Sequence, residues 1–183
     1  MRILVAIILQ PIFAFSQKDS NFYKVPFTNN DIIYESVVHL DSVYGKNKVF
    51  NAAKSTLIRN TNYKYSKVDE DRNSGNITAE ITFDFVAKPL DFSKATFHGH
   101  SFLSIDVKED RFRIRLYGNS ASLFSEDKPD FTMPTSYLQE KNQIKEHLWK
   151  ESRSLIIPWH RQLETILQAF QMLIKDGLKD DDF

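Results

Sequence analysis

The chain has 183 residues, with 24 basic and 24 acidic side chains, 42% hydrophobic residues and fifteen phenylalanines. The aromatic content excludes a disordered chain, and the length suits one domain with its own core. Balanced charge argues against a nucleic-acid partner, whose affinity comes from neutralised phosphates; the lack of cysteine excludes disulfides, thiolate metal sites, a thiol nucleophile and a lipidated N-terminal cysteine.

Residues 1–16 stand apart. Arg2 gives a positive start, Ile3–Leu9 is an apolar run, and Ala14 and Ser16 place small residues where a signal peptidase reads. The pattern predicts a signal peptide cleaved after Ser16, and hence a periplasmic or extracellular protein that is not a lipoprotein. The apolar run is shorter than the roughly twenty residues that span a bilayer, so no membrane span is expected in the mature chain. Residues 17–31, with Pro26 and the Asn29-Asn30 pair, read as a lead-in loop, and residues 32–178 as a single domain.

Ile32–Leu40 alternates, with Ile32, Tyr34, Val38 and Leu40 expected inward and Glu35, Val37 and His39 outward. From Lys46 to Asn60 the period becomes helical. Val49, Phe50, Ala53, Leu57 and Ile58 form one stripe, with Gly45 or Asn47 as the N-cap. Tyr63–Asp69 reads as a short strand, and Glu70–Gly75 as a turn whose glycine can take a positive φ.

Three strands follow: Ile77–Ala87, Phe97–Val107 and Arg111–Tyr117. In the first, Ile77, Ala79, Ile81, Phe83 and Phe85 share one face, and Thr78, Glu80, Thr82 and Asp84 the other. In the third, Phe112, Ile114 and Leu116 oppose Arg111, Arg113 and Arg115. Lys88–Lys94 links the first two, and Lys108-Glu109-Asp110 is a tight hairpin connection. Phe124–Pro134 reads as a loop, and Ser136–Gln139 matches a capping box at a helix start. Pro158 is the expected first residue of the last helix, with Trp159, Leu163, Ile166, Leu167, Phe170, Leu173 and Ile174 as its apolar stripe. Gly177 is its expected end, and residues 179–183 form an acidic tail.

The order β-α-β-β-β-β-α predicts an α+β fold: an antiparallel sheet with helices packed on one face and water on the other.

The helix Lys46–Leu57 with its Val49/Ala53/Leu57 stripe leads into Tyr65-Ser66-Lys67-Val68-Asp69 and then Gly75-Asn76-Ile77-Thr78-Ala79, a hairpin of the form G-x-I-x-A. Over roughly residues 32–116 the chain resembles exported bacterial proteins grouped as a domain of unknown function with a TATA-binding-protein-like fold. The resemblance implies a curved, five-stranded antiparallel sheet backed by two helices, and no catalytic residue.

Chemistry-bearing side chains gather on the expected wet face. His98 and His100, two apart on a strand, share that face and would need a third ligand to hold a metal. Otherwise they are exposed histidines. Arg111, Arg113 and Arg115 form a basic row, continued by Tyr117, that could clamp a carboxylate or phosphate. The alternative is a ladder of ion pairs with Asp106, Glu80, Asp84 or Glu35. Glu80 and Asp84 share that face as a possible acid–base pair. Phe83, Phe85, Phe97, Phe102 and Phe112 would line a cavity between sheet and helices or fill the core.

The expected role is a non-catalytic module that binds a small molecule or an envelope protein, with no cofactor, no metal and no nucleic acid. A hydrolase or metal-dependent enzyme using His98, His100, Arg113 and Asp106 is the alternative, and a purely structural module the second.

Overall fold

The structure is a computed structural model that describes residues 26–28, 31–41, 44–60, 62–88, 94–123, 138–139, 143–144 and 146–179. The expected leader, most of the lead-in loop, most of the Lys88–Lys94 link, the whole 124–137 stretch and the tail beyond Lys179 lie outside them.

Five strands form one antiparallel sheet in the order β3-β7-β6-β5-β4. They are β3 (Tyr34–His39), β4 (Lys64–Asp71), β5 (Asn76–Ala87), β6 (Ala95–Val107) and β7 (Arg111–Leu123). Before them, β1 (Phe27–Thr28) and β2 (Asp31–Ile32) pair as a small hairpin, so the expected lead-in is not all loop. Helix α1 (Lys46–Arg59) crosses between β3 and β4; α2 (Glu146–Lys179) closes the chain. Both helices lie over one face of the sheet. Helix α2 packs on α1, β3, β5 and β7, and α1 on β6.

Alternation explains the layering. Ile77, Ala79, Ile81, Phe83 and Phe85 on β5, Leu103, Ile105 and Val107 on β6, and Phe112, Ile114 and Leu116 on β7 are all buried. They meet Val49, Phe50, Ala53 and Leu57 of α1 and Ile156, Trp159, Leu163, Ile166, Phe170 and Ile174 of α2. Each large apolar group so buried contributes about 1.5–3 kcal/mol. Tyr63 and Tyr65, at the β4 edge, close over Phe170 at ring distances of 6.5 and 6.3 Å.

The helices correct several expectations. Pro158 does not begin α2: the helix starts twelve residues earlier and runs through it, giving up the hydrogen bond a proline cannot donate. Gly177 does not end it either. It lies within the helix beside Ala52 of α1, where a side-chain carbon would sit at an ordinary contact distance of 3.5 Å. Leu138–Gln139, expected to open a helix, instead forms strand β8, paired with β9 (Gln143–Ile144). On α1, Ile58 is 72% exposed and the inward stripe is completed by Ala52 and Thr56. The Thr56 hydroxyl donates back to the Ala52 carbonyl at 2.9 Å, which satisfies it without a partner across the interface. On α2, Leu173 is 41% exposed, while Leu178 joins the core.

Strand β7 runs to Leu123, six residues beyond the expected end. Its register against β6 slips between His100 and Phe102, where three steps along β7 match two along β6. The extra residue is accommodated at Gly118, whose φ of +58° suits glycine. Beyond this bulge the inward parity of β7 switches from even to odd numbers. Asn119 and Ala121 are buried. Asn119 accepts from the Ser101 hydroxyl at 2.7 Å and donates to the Ile32 carbonyl at 2.7 Å, so its amide is satisfied inside the core.

Candidate functional site

The face of the sheet away from the helices carries every side chain singled out above for chemistry. Its layout follows from the register. Glu35, Arg115, Ser104 and Thr78 make one cross-strand row; Val37, Arg113, Asp106 and Asn76 make the next. His39 and Arg111 lie at the end of the sheet.

Asp106 is the hub. One oxygen accepts from Asn76 Nδ2 at 2.7 Å; the other accepts from Arg113 Nε at 3.0 Å and Nη2 at 2.8 Å, and from Arg115 Nη2 at 3.2 Å. Desolvation pushes its pKa up, but the donors from Asn76 and Arg113 and the two positive charges outweigh it and hold the carboxyl below its ordinary value. Arg113 also faces Glu35 at 3.8 Å. The central and last arginines of the row are therefore engaged by carboxylates within the sheet, as the ion-pair ladder anticipates.

Arg111 differs. Its described acidic neighbour is Asp110, at 3.9 Å and next to it in the chain. Together with Lys108, Arg113, Asp106 and Val37 it lines an open depression of about 210 Å³ at the hairpin end of the sheet. Among the described residues no carboxylate lies within ion-pair distance of Lys108. The depression thus offers two cations without strong internal partners beside one apolar wall. Local sequence marks Lys108 only as a turn residue; the signal that places it here is its position between the outward-facing Asp106 and Arg111.

The histidines occupy the other half of the face. His98 Nδ1 hydrogen-bonds Asp84 directly across the β5–β6 pair. His100 Nε2 lies 3.8 Å from Glu80. Glu80 in turn accepts from Lys67 at 2.6 Å and Ser66 at 3.3 Å. The Lys67 hydrogen bond is the main cause that holds its pKa below the ordinary value, helped by the Lys67 and His100 charges. The two histidines are thus drawn to separate carboxylates. Among the described residues no three potential ligands gather as a metal site requires.

Phe102 is corrected by parity. As an even residue of β6 it cannot join Phe97 inside, and it is 37% exposed on the outer face. It stacks on Tyr117 with centroids 5.6 Å apart, with the His100 ring edge-on at 5.2 Å. Its ring covers Gly118, where a side-chain carbon would come within 2.6 Å. Tyr117 therefore lies in an aromatic cluster, one strand row away from Arg115. The buried Phe83, Phe85, Phe97 and Phe112 belong to the core. Phe83 lies across Gly99, its cross-strand partner.

A second depression, of about 120 Å³, lies on the helical layer, lined by Ser55, Arg59 and Asp176 among others.

This geometry defines an α+β protein whose helices cover one face of a five-stranded antiparallel sheet and leave the other to solvent. Compared by sequence, the chain matches no protein-family model and no curated protein. By structure it is similar to a TBP-like protein from Parabacteroides distasonis, with a TM-score of 0.58 at 14% identity, over 82% of this chain and 97% of that one. It is also similar to a DUF4468 family protein from Bacteroides ovatus, with a TM-score of 0.56 at 11% identity, over 80% of this chain and 90% of that one. The fold is TBP-like, as the resemblance over residues 32–116 implied. No helix among the described residues is long and apolar enough to cross a membrane.

Proposed function

We propose that the protein is an exported, non-catalytic binding module that takes an anionic group, a carboxylate or a phosphate, in the depression lined by Val37, Asp106, Lys108, Arg111 and Arg113. The observation that carries this reading is the division within the basic row. Arg113 and Arg115 converge on Asp106, while Arg111 and Lys108 reach the same depression with no comparable internal partner. A guanidinium fork beside an ammonium suits an oxyanion, and Val37 offers contact to an apolar stem. Export rests on the composition of residues 1–16. The separate engagement of His98 and His100 by Asp84 and Glu80 supports a binding role over a catalytic one.

Isothermal titration with inorganic phosphate and with succinate at low ionic strength tests this, because salt screens exposed charge. Heat of binding that disappears in a Lys108→Ala/Arg111→Ala double variant supports the reading. Binding that survives in that variant, or no binding of either anion, overturns it.

A further inference from the structure

The two edges of the sheet are built differently. Edge strand β4 has the sequence Lys64-Tyr65-Ser66-Lys67-Val68-Asp69-Glu70-Asp71 and a register shift between Ser66 and Asp69, with Lys67 at φ +48°. Charge and a bulge are what natural sheets use to prevent an edge from pairing with another chain. Edge strand β3 has no bulge, and its one carboxylate is Glu35. Its register against β7 is continuous from Tyr34 to His39, it carries no lysine or proline, and Val37 is 47% exposed.

The direction of its backbone groups follows from two flanking bonds. Leu40 N–H donates toward β7, to the Asp110 carbonyl at 2.8 Å, whereas Ile33 N–H donates the other way, to the Pro26 carbonyl at 3.1 Å. Successive residues of a strand point these groups to opposite sides. Glu35, Val37 and His39 therefore direct their N–H and C=O groups outward from the sheet, and no described strand pairs with them. The window is bounded. The Pro26 carbonyl already occupies the edge at Ile33, and the chain bends at Asp41.

We infer that this window pairs with the same window of a second copy of the chain, in antiparallel register about a two-fold axis at Val37. In that register Val37 meets Val37, and Glu35 meets His39 from each side. All three outward residues then lie in hydrogen-bonded pairs, each exchanging two backbone bonds. Every cross-strand contact on the wet face is complementary: an apolar pair at the centre, and a carboxylate opposite an imidazole on both flanks. Other antiparallel registers along this window leave at least one of the three residues unpaired. Self-complementarity about one axis is the property a closed two-fold dimer requires, and the two sheets become one.

Sedimentation velocity over a series of protein concentrations tests the inference. The expected result is a reversible monomer–dimer equilibrium. His39→Glu should abolish the dimer, because it sets carboxylate against carboxylate, and the Glu35→His/His39→Glu exchange should restore it. Val37→Pro should also yield monomer while leaving the thermal melt close to that of the parent, since the lost N–H faces away from β7. A chain that is monomeric at every concentration overturns the inference, as does a dimer that persists in His39→Glu or is not restored by the exchange. The anion test substitutes Lys108 and Arg111, outside the paired window, and the dimer test rests on His39→Glu and its exchange, outside the depression that Val37 also lines, so either reading can fail without the other.

Discussion

Tyr34 donates its hydroxyl hydrogen to Nδ1 of His160 across 2.6 Å, tying edge strand β3 to the middle of α2. The direction of the bond is settled by the other ring nitrogen. His160 Nε2 lies 3.1 Å from Glu164 Oε1, and a carboxylate can only accept, so Nε2 carries the hydrogen and Nδ1 of the neutral ring accepts. Burial lowers the His160 pKa and outweighs the Glu164 charge, which favours the imidazolium.

A pH dependence of stability follows. The folded-state pKa of His160 is depressed below about 6.5, its unfolded value, so its contribution is complete above that pH and is lost as pH falls toward the folded value. The melting temperature should decline as pH drops below about 6.5. A His160→Gln variant, melted over the same series, should show a flatter profile there. Asp106 and Glu80, also depressed, should add a second decline only below about 4. Equal slopes for parent and variant near neutrality would show that His160 titrates without linkage to folding.

Removing Asn119 should be costly for a residue of its size. Asn119→Ala removes the bonds that the Ser101 hydroxyl and the Ile32 carbonyl now make at 2.7 Å, leaving that hydroxyl only its longer contacts to the Tyr117 and Phe102 carbonyls at 3.3 and 3.4 Å. Each unsatisfied buried group costs about 1–3 kcal/mol. Urea unfolding should show an unfolding free energy lowered by about 1–3 kcal/mol, read as a lower midpoint with the denaturant slope unchanged.

The two sheet glycines should respond in the opposite order to their dihedrals. Gly118 has the positive φ, but the ring over it belongs to Phe102, which is on the surface and can swing away. Gly99 has no unusual φ, yet a methyl there would strike the buried Phe83 ring. Gly99→Ala should destabilise by about 1–3 kcal/mol and Gly118→Ala by about 1 kcal/mol. In thermal melts, adding Phe83→Leu should recover part of the Gly99→Ala loss and none of the Gly118→Ala loss.

Asp106 separates stability from binding. Asp106→Asn removes the charge that engages Arg113 and Arg115, so the fold should melt lower while phosphate binds several-fold tighter. Titration calorimetry reads the second effect. Unchanged or weaker phosphate binding would mean that Arg113 does not contribute to the depression.

Ile58 and Leu57 are adjacent, and both are apolar. Ile58→Lys should change stability by less than about 0.5 kcal/mol, because that side chain faces water. Leu57→Ala should cost about 2–5 kcal/mol. Chemical denaturation of the pair measures the direction in which the α1 stripe faces.

Alternation along β5, β6 and the first half of β7 was legible in the sequence because a strand's period is two and one face is immersed in the core. Phe112, Ile114 and Leu116 had to share a side whatever lay above them, and the arginines between them had to face out. From Lys46 to Leu57, the helical period was equally plain. These local patterns sufficed for an antiparallel sheet covered on one face.

Where a position depends on residues far along the chain, the sequence was silent or misleading. Gly118 and Asn119 resemble a strand end, and only the Ser101 and Ile32 partners make them a bulge that carries β7 onward. Pro158 and Gly177 carry the local marks of helix ends, but burial of the α2 stripe against the sheet and against Ala52 outweighs one missing hydrogen bond and one flexible residue. The arginine row was visible as a row. Which member keeps charge to spare depended on Asp106 standing between two of them, a relation set by strand register across a hairpin. Local periodicity assigns faces because it needs only neighbours in the chain; partners are decided by the packed sheet, because only folding brings distant side chains within bonding distance.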